Sequence, residues 1–231
     1  MSAPAVSVVI GTRNAERYLS EALASVRDGG FDDLEVVVVD CASADRSREI
    51  AAGYGARVIA QDGTGLFAGW NQGVAASRGG LIAFLDSDDR WAPGKLEAQV
   101  AALARDPGLD YVIGRVRFFL EPGMPEPPGY RPEYDGAEHV APMPGTLLVR
   151  RAAFDRIGPF RTEFEIASDV DWFARLKDAG LRSAVVSEAL IHKRIHDANL
   201  THFQARSMNA EIVGLLRASI HRRRAAAPDS S

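Results

Sequence analysis

Three aspartates, Asp86, Asp88 and Asp89, follow directly on a run of five apolar residues, 81–85. Carboxylates this close repel one another, and a hard divalent cation relieves the repulsion. Mg²⁺ takes one or two carboxylates and completes its octahedron with phosphate oxygens and water. The competing reading of such a cluster is a turn that caps a helix opening near Pro93. Asp40 holds a comparable place at the end of a second, nearly continuous apolar run, 34–39. A carboxylate there can accept a hydrogen bond from a ribose hydroxyl or a base N–H, as acidic residues at strand ends do in nucleotide-binding α/β folds. It could equally cap a helix starting near Asp45, although Ser43 could do that alone.

These positions make sense only if the apolar runs are strands. Residues 6–10 read as the first strand, ended by Gly11 and Thr12. Asn14 suits the N-cap of a helix along which Tyr18, Leu19, Ala22, Leu23 and Val26 recur at helical spacing. The run 34–39 is the second strand, apolar on both faces as in a parallel sheet covered by helices on both sides. A helix over about 45–52, a strand over 57–60, a helix over 66–77 and a strand over 81–85 follow. Pro93 suits the first turn of a further helix, which carries Leu96, Val100 and Leu103 towards Pro107. Alternating strands and helices imply a doubly wound α/β sheet, in which ligands bind beyond the carboxyl ends of the strands. Thr12, Arg13 and Asn14, then Asp40, Cys41 and Ser43, then Asp86, Asp88 and Asp89, are therefore predicted to face one crevice.

The second half is less regular. Residues 111–120, 146–149 and 191–195 read as strands, 169–179 as a helix, and 203–224 as a helix with a basic end at His221, Arg222, Arg223 and Arg224. Between 121 and 144 lie seven of the twelve prolines, too many for a helix or a central strand. A segment of that length without regular structure is usually a functional loop or disordered, and here a mobile wall or lid over the acceptor side is expected. Residues 225–231 read as a flexible tail.

Composition limits the alternatives. The chain has 231 residues, 46% of them hydrophobic and 25% charged, which is globular and neither disordered nor coiled-coil in character. A net charge of −4 argues against a broad nucleic-acid-binding face. A spanning helix needs about 20 apolar residues, and no run approaches that length. The N-terminus shows no basic stretch leading into an apolar one, so the expectation is a cytoplasmic protein with at most peripheral contact at the inner face of the membrane. Cys41, the one cysteine, allows neither an internal disulfide nor a thiolate metal cluster.

Taken together, the segments 7–14 (SVVIGTRN), 38–45 (VVDCASAD), 71–73 (NQG) and 84–89 (FLDSDD) resemble the family 2 glycosyltransferases of GT-A fold. The segments 145–151 (GTLLVRR), 168–172 (SDVDW) and 194–199 (RIHDAN) extend the similarity, in matching order, over about residues 5–200. The implied fold is α/β: a GT-A, Rossmann-like, mostly parallel sheet flanked by helices, with a smaller acceptor-side region. The implied organisation is one domain over 1–224, with a nucleotide-sugar half (1–110), an acceptor and catalytic half (111–200) and a C-terminal helix (201–224).

The resemblance implies inverting transfer of a sugar from a nucleotide-diphosphate sugar to a hydroxyl on a glycan, a lipid-linked sugar or a small molecule. Gly11, Thr12, Arg13, Asn14, Asp40, Cys41, Ser43 and Asn71 would hold the donor. Asp86 and Asp88 form the Asp-x-Asp element, with Asp86 nearer the ribose and Asp88 a direct ligand of Mg²⁺ or Mn²⁺. Asp89 and His196 would be further metal contacts, and Asp169 the base that deprotonates the acceptor hydroxyl. Taken alone, Asp169 is equally an N-cap of its own helix. Three departures from the family pattern stand out: Arg13 replaces an aromatic, Cys41 an acidic residue that many relatives use to read uracil, and Ser168 a glutamate.

Rival readings fare worse. A dinucleotide oxidoreductase would need Gly-x-Gly-x-x-Gly after the first strand, where this chain has Gly11 alone. A sugar-phosphate nucleotidylyltransferase would show a Gly- and Arg-rich loop there. A non-catalytic carbohydrate- or nucleotide-binding descendant would be expected to lose Asp88 or Asp169, and both are present. His192 and His196 have a zinc-ligand spacing for a helix, but they fall on and beside a predicted strand. Trp70, Trp91 and Trp172 belong to the core or to a pocket wall, and the core is the favoured place.

Overall fold

Along the central strands, side chains of alternating residues enter two separate cores, which is how a sheet covered on both faces must be built. In the first strand, β1 (Val6–Thr12), Val8 and Ile10 enter one core and Val9 the other. In β2 (Leu34–Asp40), Val38 joins the first core, Val37 and Val39 the second. The computed structural model describes residues 3–126, 136–164, 166–197, 199, 211, 214, 215 and 219.

The remaining elements follow in chain order: α1 (Leu19–Arg27), α2 (Ser47–Gly53), β3 (Arg57–Ala60), α3 (Leu66–Ala76), β4 (Leu81–Asp86), β5 (Arg90–Trp91) and α4 (Lys95–Arg105). Then come β6 (Tyr111–Leu120), β7 (Glu138–Val140), a 3₁₀ turn at Pro144–Thr146, β8 (Leu148–Arg150), α5 (Arg151–Ile157), α6 (Ser168–Asp178) and β9 (Ser183–Ile195). They form a nine-stranded sheet of order β3-β2-β1-β4-β8-β6-β9-β5, with β7 beside β6.

The first half is parallel throughout, with β1 paired to both β2 and β4 and β2 to β3. Direction changes at β8, which runs antiparallel to β4 and β6, while β6 and β9 are again parallel. Residues from α1, α2 and α4 fill one core and residues from α3, α5 and α6 the other. Trp70, Trp91 and Trp172 are all buried in these cores. Gly73 lets α3 lie directly on the sheet, since a Cβ there would overlap the side chain of Val9.

Some elements differ from expectation. Asn14 does not cap α1, whose N-cap is Tyr18 with no side-chain cap bond. The last strand begins at Ser183 rather than near 191: Ser187 and Glu188 interrupt the apolar run, and the pairing with β6 shifts register there, between Val185 and Ala189, before it resumes. The short β5 was not expected from sequence; it pairs antiparallel with β9 through Arg90 and Trp91. This pairing carries the chain leaving the acidic turn directly onto the last strand. Residues 127–135, the middle of the proline-rich segment, lie outside the described residues, as do most of 201–224 and all of 225–231. Among the described residues, no helix is long and apolar enough to cross a membrane.

Candidate active site

At the carboxyl end of the parallel strands, the loops after β1 and β2 are laced together. Asn14 and Ala42 both have φ of 50°, a left-handed conformation that is uncommon outside glycine and that clusters at functional sites. The Asn14 N–H donates to Ser43 Oγ at 2.9 Å, and the Ala44 N–H donates to Asn14 Oδ1 at 2.9 Å. The Ala15 N–H adds a 2.8 Å bond to Ser47 Oγ, and the Cys41 N–H a 2.9 Å bond to the Thr12 carbonyl. Asn14 and Ser43 thus hold two loops in register, leaving the Arg13 side chain exposed and Cys41 half-buried between them.

Asp40 is fully buried at the floor of this pair of loops. Its Oδ2 accepts from Arg48 Nε at 2.5 Å and from the Ser43 N–H at 3.2 Å. Its Oδ1 is buried with no hydrogen-bond partner among the described residues, and so is Thr12 Oγ1. Buried polar atoms are normally satisfied, and these two belong to residues paired across the carboxyl ends of β1 and β2.

The second group is the turn after β4. One oxygen from each of Asp86, Asp88 and Asp89 lies within 4.8 Å of the others. The end of β9 and the residues after it grip this turn. His196 Nε2 lies 3.0 Å from Asp88 Oδ2, and Asn199 Nδ2 donates to the same oxygen at 3.3 Å. Lys193 Nζ donates to Asp86 Oδ2 at 3.2 Å and to Asp89 Oδ2 at 3.0 Å. The Arg194 N–H donates to Asp89 Oδ1 at 2.8 Å, and Arg194 Nε to the Asp88 carbonyl at 2.9 Å. Arg194 in turn pairs with Glu121 and Glu21 and lies over the rings of Tyr18 and Phe119.

Electrostatics divides the three carboxylates. Burial raises Asp86 and Asp89 above the ordinary carboxylate range, against the pull of Lys193. Burial acts on Asp88 in the same direction, but there the bond to His196 and the charge of Lys193 prevail and lower it. Lys193 is held charged, well above the usual lysine value, because the three carboxylates outweigh its own burial.

The third group sits at the start of α6. Asp171 is spent on structure: it is fully buried and accepts from Arg175 Nε at 2.7 Å. Asp169, two residues earlier, makes no ion pair among the described residues, and its Oδ1 accepts the adjacent Val170 N–H at 2.8 Å. Burial pushes its pKa up to about 6, and the charge of Asp86 adds to the effect while Lys193 opposes it. Asp86 and Lys193 thus lie close enough to Asp169 to act on its proton affinity, although burial dominates it.

The family model for glycosyl transferase family 2 matches residues 7–162, a span that includes β1 through α5. This chain belongs to that family. Glycosyltransferase AglE of Haloferax volcanii is 30% identical over 192 residues, 77% of this chain and 62% of AglE. The chain spans no more than about two thirds of the length of the first relatives it matches, between 30% and 66%. Among solved structures, S. aureus TarS 1–349 in complex with UDP-GlcNAc superposes with a TM-score of 0.73 at 22% identity, over 94% of this chain and 66% of that one. The mannosyltransferase of Pyrobaculum calidifontis, in complex with GDP-Man and Mn²⁺, gives 0.70 at 18% identity, over 96% and 65%. The fold is that of the GT-A glycosyltransferases.

Within this family 2 domain most of the predicted residues fall into two sets, with Asp169 on α6 and Asn71 on α3 outside them. Gly11, Thr12, Arg13, Asn14, Asp40, Cys41 and Ser43 gather at the ends of β1 and β2, and Asp86, Asp88, Asp89 and His196 at the end of β4. Asn71 stands apart: its Nδ2 donates to the Phe160 carbonyl at 2.8 Å and its Oδ1 accepts from the Phe160 N–H at 2.9 Å. Asn71 therefore ties α3 to the chain after α5. Asp89, fully buried with both oxygens engaged, anchors the turn.

The donor chemistry of the turn fits a hard cation. Oδ1 of Asp86 and Oδ1 of Asp88 accept no hydrogen bond from another described residue, and oxygen ligands suit Mg²⁺ or Mn²⁺. Two residues in this cluster escaped the sequence reading. Asn199 closes the segment 194–199 and Lys193 immediately precedes it, and sequence alone gives neither a role. The signal for Lys193 was a lysine within a predicted buried strand beside histidine and arginine.

Proposed function

We propose that this family 2 domain transfers a sugar from a nucleoside-diphosphate sugar to an acceptor hydroxyl with inversion at the anomeric carbon. The observation that supports it most is Asp169: a carboxylate with no ion pair among the described residues, its pKa raised to about 6, which feels the charge of the separate acidic turn through Asp86. A base with a pKa near working pH is suited to general base catalysis.

In this scheme the orphaned Asp40 Oδ1 and Thr12 Oγ1 accept from or donate to the nucleoside of the donor, and the half-buried Cys41 lies beside them. Asp86 and Asp88 would hold Mg²⁺ or Mn²⁺ through their Oδ1 atoms, with His196 and Asn199 fixing the Asp88 carboxylate by its Oδ2. When bound there, such a cation supplies positive charge against the diphosphate. The acceptor oxygen attacks the anomeric carbon from the face opposite the diphosphate. Its proton passes to Asp169, and the bond to the diphosphate breaks with its electron pair. Asp169 has to stand off from the cation, because a bound dication would lower its pKa and weaken it as a base. The complexes of TarS with UDP-GlcNAc and of the Pyrobaculum enzyme with GDP-Man and Mn²⁺ support a nucleotide sugar as the donor class and a divalent metal as its companion.

The test is Mn²⁺-dependent hydrolysis of nucleotide sugars in the absence of acceptor. Asp88→Asn is expected to abolish metal dependence. Asp169→Asn should lower turnover by about 10²–10⁴-fold, the usual contribution of a general base, while leaving nucleotide affinity unchanged. Wild-type turnover in both variants would overturn the proposal.

A further inference from the structure

The acidic turn already contains a cation. Lys193 Nζ bonds Asp86 and Asp89 at 3.2 and 3.0 Å, its side chain is only 19% exposed, and no other lysine or arginine side chain pairs with either carboxylate among the described residues. It reaches the turn because β9 runs parallel to β6 up to Ile195, with Lys193 beside Phe118. The Arg194 backbone N–H on Asp89 then fixes the register of strand against turn.

We infer that Lys193 is an internal counter-ion of the metal site, which weakens cation binding until the diphosphate of the donor arrives. The inference rests on the functional reading above. Asp86 is the carboxylate shared between the two charges: Oδ2 carries the ammonium, and Oδ1, which accepts no hydrogen bond from another described residue, would take the metal. A dication on Oδ1 would stand one carboxylate away from a buried positive charge, and like charges at such distances in a part-buried site repel strongly. Two phosphate groups entering with the metal change the balance. They bring negative charge that both cations can share, so Lys193 can turn from Asp86 onto a phosphate oxygen without being left unpaired. Free enzyme should therefore take up Mn²⁺ poorly, while metal and nucleotide together bind with strong mutual coupling. Asp89, which has no free oxygen, stays behind as the anchor of the turn. Lys193 is thus a positioning residue whose charge sets the order of binding.

The experiment is titration of Mn²⁺ followed by electron paramagnetic resonance of the free ion, on the whole chain, with and without saturating UDP or GDP. Lys193→Gln keeps an N–H donor and removes the charge, whereas Lys193→Arg keeps the charge. The expected result is at least tenfold tighter Mn²⁺ binding by K193Q in the absence of nucleotide and a reduced gain on adding nucleotide, with K193R close to wild type. Equal Mn²⁺ affinity in wild type and K193Q, or the same tightening in K193R, would overturn the inference and leave the functional reading intact. Failure of wild type to bind Mn²⁺ under any condition would overturn both. Should K193Q not fold, the ammonium resonance of Lys193, assigned by its loss in K193R, gives the answer in wild type. It should move on addition of Mg²⁺ with nucleotide and not with Mg²⁺ alone, and an unmoved signal would overturn the inference.

Discussion

Nε2 of His196 lies 3.0 Å from Oδ2 of Asp88, joining residues 108 positions apart in the chain. The contact exists because β9 ends beside the turn that follows β4, and the His196 N–H is itself tied to Asn199 Oδ1 at 2.6 Å. Groups that orient a metal-binding carboxylate are worth about 10–100-fold in metal affinity.

His196→Ala is therefore expected to weaken Mn²⁺ binding in the presence of nucleotide by about 10–100-fold, without unfolding the domain. His196→Gln, which can return a side-chain N–H to Asp88, should recover part of the loss. Titration calorimetry with Mn²⁺ and UDP or GDP measures both, and an unchanged affinity in His196→Ala would remove the histidine from the site.

The pKa of Asp169, raised to about 6 chiefly by burial, fixes the direction of the pH dependence. A base must be deprotonated to work, so kcat/KM should fall on the acid side with an apparent pKa near 6 and level off above it. Raising a carboxylate pKa in the folded state also means that its ionised form opposes folding. Asp169→Asn should accordingly melt at a higher temperature than wild type at pH 8 while losing turnover. A variant that lost activity and stability together would point to a structural role instead.

Much of this site was legible in the sequence, for a definite reason. Strand ends in an α/β sheet are marked by the point where an apolar run stops, and the polar residues at those points, Asp40 and Asp86, are where the structure gathers them. What the sequence concealed lay in pairing across the sheet. Lys193 on a short predicted strand could face either side, and only the parallel register of β9 with β6 turns it onto the acidic turn. Asn14 carried a capping signature but adopts a left-handed backbone and joins the next loop, a choice set by Ser43 and Ala44, some thirty residues away. Asn71 sits in a family segment, and nothing local reveals that its amide is matched to the backbone of Phe160. By residue type alone Asp169 and Asp171 are alike, and only the family resemblance singles out Asp169. Arg175, one helical turn beyond Asp171, takes up the second and leaves the first open.

Outside the site, Lys95 offers an independent check on the packing. It is buried, donates to Gln99 Oε1 at 2.7 Å and lies over the Trp91 ring, and burial lowers its pKa to about 7 from the model-compound value of 10.5. Between pH 7 and 10.5 the unfolded chain then binds the extra proton, so stability rises with pH across that window. The slope approaches about 1.4 kcal/mol per pH unit, equivalent to roughly 3–5 °C in Tm for a domain of this size. Below pH 7 both states are protonated and the penalty is complete. Lys95→Met should flatten this dependence relative to wild type in thermal melts from pH 7 to 10. Parallel melting curves for the two proteins would show that Lys95 is not buried as described.

The central claim is that the acidic turn after β4 and the carboxylate at the head of α6 flank a single donor. A crystal structure with Mn²⁺ and a nucleoside diphosphate, with the metal located by its anomalous signal, tests this directly. The expected result is one manganese peak bonded to Asp88 and to the diphosphate, the nucleoside against Asp40, and Asp169 across the cavity from the metal, not coordinated to it. Manganese away from Asp88, or a diphosphate on a surface that Asp169 does not face, would contradict it.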